Sequence, residues 1–291
     1  MSKLGLGTVQ FGINYGINSE FGKVKSNEVV KILNFAQSKK INYLDTAPSY
    51  GDSEKVLGTY KKFDFKVITK TRHFKNDHIT ERDLDFLDLD FNNSLSNLKS
   101  DNIYGLLVHN ADDLLKPGAE NLIERLEEYR NKGKLLKFGV SVYEPTQLTN
   151  ILDLFDIDLV QLPLNILDKR MIETEMLTVL DQKGIEVHAR SVFLQGLLLM
   201  DSKDRPKKFD RWNRHWNIWH QWLEDNKLTA LEATIRYAVS FPEITKVFVG
   251  VDTLNQLEEI YNASKGVLPD VPRELSTDSP ELLNPFNWNS L

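Results

Sequence analysis

The feature that most constrains this chain is an alternation: short apolar or β-branched runs recur between longer segments with helical spacing. Eight runs can be counted: KLGLG (3–7), INYLDT (41–46), KVITK (66–70), YGLLVH (104–109), LKFGVSV (136–142), LVQLPLN (159–165), EVHARSV (186–192) and KVFVGV (246–251). Each is followed by a candidate helix, from SNEVVKILNFAQSKK after the first to TLNQLEEIYNAS after the last. In the first of these Val29, Val30, Leu33 and Ala36 share one face, and Ser26 is placed to cap it. Strands separated by a helix every time run parallel, and eight strand-helix units can close on themselves. An open doubly wound sheet would carry G-x-G-x-x-G in its first turn, and GLGTVQFG lacks that spacing. The expectation is an α/β chain, a single-domain (β/α)8 TIM barrel over 1–291. Its long loops, 10–25, 197–227 and the tail after 266, are expected on the face that carries the C-terminal ends of the strands.

Composition removes several classes of function. The 291 residues include no cysteine, which excludes disulfides, thiolate metal sites and cysteine nucleophiles. His73, His78, His188, His215 and His220 show no ligand spacing, so no metal is expected. A formal charge of −6, mixed in sign along the chain, opposes nucleic acid or an anionic membrane as a partner. No run of eighteen apolar residues offers a membrane span, and MSKLGLGTVQFG lacks the pattern of a signal peptide, so a cytoplasmic location is expected.

In an eight-stranded parallel barrel all strand C-termini open into one mouth. Asp45 follows the second run, Tyr50 lies in its loop, Lys70 ends the third and His109 ends the fourth, so these four converge although they are distant in sequence. A phenol ionises near about 10 in isolation, and a neighbouring cation stabilises its phenolate. Lys70 is placed to be that cation, with Asp45 as its counter-charge and His109 to hold a substrate oxygen. Carbonyl reduction suits this set: negative charge develops on an oxygen, Tyr50 protonates it, and the hydride comes from a cofactor. The partner expected is therefore a small-molecule carbonyl. A sugar-like or phosphorylated one is favoured by the basic run Lys203, Arg205, Lys207, Lys208, Arg211 and Arg214 and by polar loop residues such as Asn110, Tyr143 and Asn165. Trp212, Trp216, Trp219 and Trp222 recur at helical spacing, a packing pattern, but Trp212 or Trp216 is expected to face the mouth.

The stretch DTAPSYGDSEKVLG (45–58) resembles the DTAxxYGxSExxLG pattern of the aldo-keto reductases, and the likeness runs over essentially the full chain. It implies a barrel with a nicotinamide cofactor, NADP(H) or NAD(H), and places Asp45, Tyr50, Lys70 and His109 on the family's catalytic tetrad. By the same resemblance Gly7 and Thr8 fall in the first cofactor-contacting turn, while Ser141 and Gln161 hold the nicotinamide carboxamide. Three residues depart from the pattern. Val142 stands where many members have asparagine, Arg190 stands at the stacking-tyrosine position, and Gln195 stands where a basic residue often meets the pyrophosphate. In VFVGVDTLNQLEEI, which resembles the adenosine site, Gly250 and Gln256 replace the Lys and Arg of NADPH-preferring members, Asp252 adds negative charge, and Glu259 matches a position contacting adenine or ribose. The changes in this segment make NADH use credible, although the basic run at 203–214 supplies charges that could hold a 2′-phosphate. Val142 and Arg190 leave open a cofactor-binding regulatory or scaffolding subunit on the same scaffold, and a sugar-modifying lyase or epimerase using Tyr50 and His109 as acid and base is a second alternative.

Overall fold

Eight parallel strands pair in chain order, and the last pairs with the first: β1 (Leu4–Gly7), β2 (Tyr43–Asp45), β3 (Lys66–Lys70), β4 (Ile103–Val108), β5 (Leu135–Ser141), β6 (Leu159–Pro163), β7 (Glu186–Arg190) and β8 (Lys246–Gly250). The structure is a computed structural model that describes residues 2–16, 22–60 and 64–291, with the side chain of Asn289 excepted. Residues 17–21 of the expected loop 10–25 lie outside the described residues. All eight runs anticipated from sequence are strands, and the chain is a (β/α)8 barrel.

Outward residues such as Leu44, Leu106, Val140, Val160 and Val187 are buried beneath the surrounding helices. Several helices begin where the sequence supplies reciprocal caps: Thr80 with Asp83, Thr229 with Glu232, and Thr253 with Gln256 exchange side-chain and backbone hydrogen bonds. Two local expectations are corrected. Ser26 opens the first long helix (Ser26–Ser38) rather than capping it, because Lys25 takes the extended cap position. The helix expected over IETEMLTVLDQKG breaks into Arg170–Glu173 and Met176–Gln182, with Glu175 at φ 57° between them.

The end of the barrel opposite the mouth is closed by polar side chains. Glu186 accepts from Lys137 at 2.5 Å, from Tyr104 at 2.8 Å and pairs with His188 Nε2 at 2.8 Å. His188 is thus a buried structural histidine, as the absence of ligand spacing implies.

Candidate active site

Strand alternation assembles the site. Tyr43, Ile68, Leu107, Leu159 and Phe248 pack inside the barrel, and the His188 ring joins them against Tyr43 and Phe248. Successive side chains on a strand point to opposite faces, so the residue two positions on points inward again, one layer nearer the mouth. Two positions beyond those six stand Asp45, Lys70, His109, Gln161, Gly250 and Arg190.

Asp45 and Lys70 form the centre of that layer, 7% and 2% exposed. Lys70 Nζ donates to Asp45 Oδ1 at 2.6 Å and to the Thr46 carbonyl at 3.0 Å, while Gln161 Nε2 donates to the same Asp45 oxygen at 2.8 Å. Burial draws the Lys70 ammonium below its ordinary value, and Asp45 opposes the fall.

The loop after β2 carries Tyr50 over this pair. Its ring centroid lies 4.9 Å from Lys70 Nζ and 6.5 Å from the His109 ring, edge to face. Two glycines make the placement possible: a Cβ on Gly12 would stand 1.7 Å from the Tyr50 carbonyl oxygen, and Gly51 turns at φ +57°. Ser53 Oγ donates to the Thr8 carbonyl at 2.8 Å and accepts from Thr46 Oγ1 at 3.0 Å. Glu54 accepts from Thr69 Oγ1 at 2.7 Å and from Asn97 Nδ2 at 3.3 Å. Ser53 and Glu54 therefore hold the Tyr50 loop against the barrel. The sequence reading gives them no role, although their fixed places in the motif are the signal for one.

Burial, followed by the Asp45 charge, raises the Tyr50 phenol above its ordinary value. The expectation that Lys70 makes it more acidic is not met in this state, in which burial and the Asp45 charge set the direction. The phenol is protonated at neutral pH, the form a proton donor requires. His109 is pushed down to about 4, chiefly by burial and then by the Lys70 charge, so its imidazole is neutral at pH 7.

This sets a pH dependence. With the folded value at about 4 and the unfolded value near about 6.5, the stability linked to a neutral His109 is complete above about pH 6.5 and is lost as pH falls from there toward about 4. Any activity that uses the neutral ring should hold through pH 6 and fail only on approach to about 4. A pH profile of kcat/KM checks it, and an acid limb centred on the ordinary histidine value contradicts it.

Comparison with known proteins decides the family. The profile described as "Aldo/keto reductase family" matches residues 3–271. The chain belongs to the aldo/keto reductase family. It is 23% identical to the "Uncharacterized oxidoreductase YqkF" of Bacillus subtilis (strain 168), over 91% of this chain and 87% of that one. It is 26% identical to an L-galactose dehydrogenase of Arabidopsis thaliana, over 88% and 83%. Among solved structures, an aldo-keto reductase from Bacillus halodurans in its holo form superposes with a TM-score of 0.71 at 20% identity, covering 92% of this chain and 88% of that one. The chain is an oxidoreductase, and members of its family use a nicotinamide cofactor.

Other residues expected at an aldo/keto reductase site are placed as follows. Thr8, fully buried, donates from Oγ1 to the Asp45 carbonyl at 2.8 Å, and Gly7 pairs with both Asp45 and Gly250 across the sheet. Ser141 is buried beside Gln161, whose amide is already donated to Asp45. Gln195 donates to the Tyr15 hydroxyl at 3.1 Å. Gln256 accepts from the backbone N–H of Asp252 at 2.7 Å and of Thr253 at 3.3 Å, and Glu259 is exposed. Tyr143 carries the Arg190 guanidinium on its face and meets Phe286 of the C-terminal tail.

The substrate-side expectations need correction. Trp212 and Trp216 do not face the mouth: they are 7% and 1% exposed, Trp212 packs on Phe209, and the Trp216 indole donates to the Phe209 carbonyl at 2.9 Å. Asn110 Nδ2 is committed to Asp113 at 3.2 Å and lies 2.9 Å from His73 Nδ1. Of the basic run, Arg205 is buried over Trp216 and Lys208 donates to the Trp288 carbonyl at 2.5 Å, while Lys203, Lys207, Arg211 and Arg214 are exposed. Two residues at the rim of the barrel went unanticipated. Gln10 lies against Gly250, and Glu28 reaches the N-terminus of the last barrel helix, Leu254–Ala263. Neither has a sequence signal, because each contact joins elements more than 200 residues apart.

Proposed function

We propose that this aldo/keto reductase reduces an aldehyde or ketone to an alcohol, with Tyr50 giving the proton to the carbonyl oxygen. The observation that carries the reading is the meeting of Tyr50 with both Lys70 and His109 above the Asp45 carboxylate. A reduced nicotinamide, when bound, supplies the hydride to the carbonyl carbon. The chain's own residues manage the charge that follows. Neutral His109 hydrogen-bonds the carbonyl oxygen as negative charge grows there. Tyr50 passes its proton to that oxygen, since an alkoxide is a stronger base than a phenolate. The phenolate left behind is compensated by Lys70 and by Arg190, whose charge favours ionised Tyr50. Assay of a carbonyl panel with NADH and with NADPH tests this by loss of reduced cofactor and formation of alcohol. Nicotinamide binding without net consumption would reject reduction and favour the regulatory or epimerase alternative.

The residues at the end of β8 fit a dinucleotide. Gln10 Oε1 and Asp252 Oδ1 are buried acceptors with no hydrogen-bond partner among the described residues, and they flank exposed Gly250, where a Cβ would lie 2.5 Å from Gln10 Nε2. Orphaned acceptors suit a donor such as a ribose hydroxyl and oppose a phosphate, which only accepts. Glu28 Oε1 accepts the Leu254 N–H at 2.8 Å, a bond that holds the Glu28 carboxyl below its usual range. A carboxylate therefore already takes the helix terminus where an added anion would otherwise be favoured. We infer a preference for NADH, which carries a free 2′-hydroxyl. Dissociation constants read by tryptophan fluorescence should favour NADH by about tenfold or more, and Glu28→Gln should narrow the gap. Tighter binding of NADPH by the native chain contradicts this inference without touching the reductase reading.

A further inference from the structure

We propose that Arg190 anchors an anionic group, a carboxylate or a phosphate ester, carried by the carbonyl substrate, a proposal that rests on the reading of the mouth as a carbonyl-reducing site. Arg190 ends β7 and points inward in the same layer as Asp45, Lys70, His109 and Gln161. Among the described residues its plane is fixed by neutral groups only: Nη2 donates to the Val142 carbonyl at 2.9 Å, Nη1 to Ser191 Oγ at 3.2 Å, and its Cζ sits 4.1 Å from the Tyr143 ring centroid. These bonds use two of the five N–H donors of a guanidinium.

The charge of Arg190 has no counter-ion among the described residues. Asp45, the carboxylate of its layer, is taken by Lys70 and Gln161. Of the other arginines that are not exposed, Arg72, Arg125, Arg130, Arg170 and Arg236 each pair with a carboxylate, and Arg205, like Arg190, has no such partner among the described residues. The Arg190 charge nevertheless reaches the reacting groups, disfavouring the protonated forms of Lys70 and His109 and favouring ionised Tyr50.

The backbone that presents Arg190 is held under strain. Ser191, Leu194 and Gln195 take φ values of 60°, 48° and 53°, a region unfavourable to residues with side chains. Cross-links oppose relaxation: the Leu164 N–H donates to the Arg190 carbonyl at 3.0 Å and Asn165 Nδ2 to the Ser191 carbonyl at 3.3 Å. A fixed, half-buried guanidinium with free donors and no carboxylate partner, set beside a proton donor and a neutral imidazole, matches the planar oxygens of a carboxylate or phosphate. A neutral carbonyl compound leaves that charge uncompensated.

The test uses matched substrates on the full chain: pyruvate against methyl pyruvate for a carboxylate, and glyceraldehyde 3-phosphate against glyceraldehyde for a phosphate ester. In at least one pair the native protein should favour the anionic member in kcat/KM by about tenfold or more, and the responding pair identifies the anion. Arg190→Gln should bring that ratio to near unity, whatever its effect on absolute rates, while Arg190→Lys should keep part of it. No preference in either pair, or a preference that survives Arg190→Gln, overturns the proposal while leaving the reductase reading intact. If Arg190→Gln does not fold, Arg190→Lys decides, because an undiminished ratio there also overturns it. Binding supplies a readout free of turnover: lactate against lactamide and glycerol 3-phosphate against glycerol, followed by tryptophan fluorescence. Selective binding of an anion that is lost in the Arg190 variant supports the anchor even where no substrate is turned over, and equal binding of charged and neutral members counts against it.

Discussion

Replacing Tyr50 by phenylalanine should lower kcat by roughly 10²–10⁴-fold, the range that a positioned general acid contributes, while leaving nicotinamide affinity within about threefold of the native value. The asymmetry follows from where the hydroxyl acts. The ring of Tyr50 stands over Lys70 and edge-on to His109, and phenylalanine keeps those packing contacts. Only the hydroxyl, and with it the proton it would give, is removed. Gly12 and Gly51 still hold the loop, and Ser53 and Glu54 still bind it to Thr8, Thr69 and Asn97, so the variant should fold normally. The measurement pairs steady-state turnover with a cofactor titration on the same preparation. Turnover within a few-fold of native would show that the proton comes from elsewhere. His109 is the next candidate, but its neutral ring, pushed down to about 4, is a poor donor to an alkoxide unless another group recharges it.

How much of this was legible in the sequence differs from residue to residue. The barrel could be read because parallel strands buried on both faces appear as continuous apolar runs, and helices capped by Thr80, Thr229 and Thr253 separate them. The convergence of Asp45, Lys70 and His109 could also be read, because strand ends of a closed parallel barrel share one mouth whatever the details of packing. The state of the phenol could not. Whether Lys70 acidifies Tyr50 depends on the burial of the phenol and on the nearby Asp45 charge, which here set the direction. The tryptophans were legible in part: their helical spacing reads as packing, and Trp216, Trp219 and Trp222 are indeed buried along one helix (Asn213–Asn226), but spacing does not decide whether Trp212 or Trp216 reaches the mouth. Glu28 and Gln10 were out of reach for another reason. Their partners, Leu254 and Gly250, are brought near them only when β8 closes onto β1.

The Asp45–Lys70 pair should prove strongly non-additive. Both partners are almost fully buried and share a 2.6 Å contact, so removing one leaves an ion without its counter-charge. In Asp45→Asn the ammonium keeps the Thr46 carbonyl but loses the anion that opposed its fall in pKa; in Lys70→Met the carboxylate keeps only the Gln161 amide. Each single variant is expected to lose about 3–5 kcal/mol of stability, the usual cost of breaking a buried ion pair. The double variant, Asp45→Asn with Lys70→Met, should lose less than the sum, because neither stranded charge remains. Urea unfolding of the four proteins closes this cycle, and additive losses would mean that the two side chains are not electrostatically coupled. The cycle also separates stability from chemistry. The double variant regains folding without regaining the cation beneath Tyr50, so its turnover should stay low even where its unfolding midpoint recovers. A protein in which recovered stability brought back activity would show that the pair serves only to hold the barrel mouth in shape.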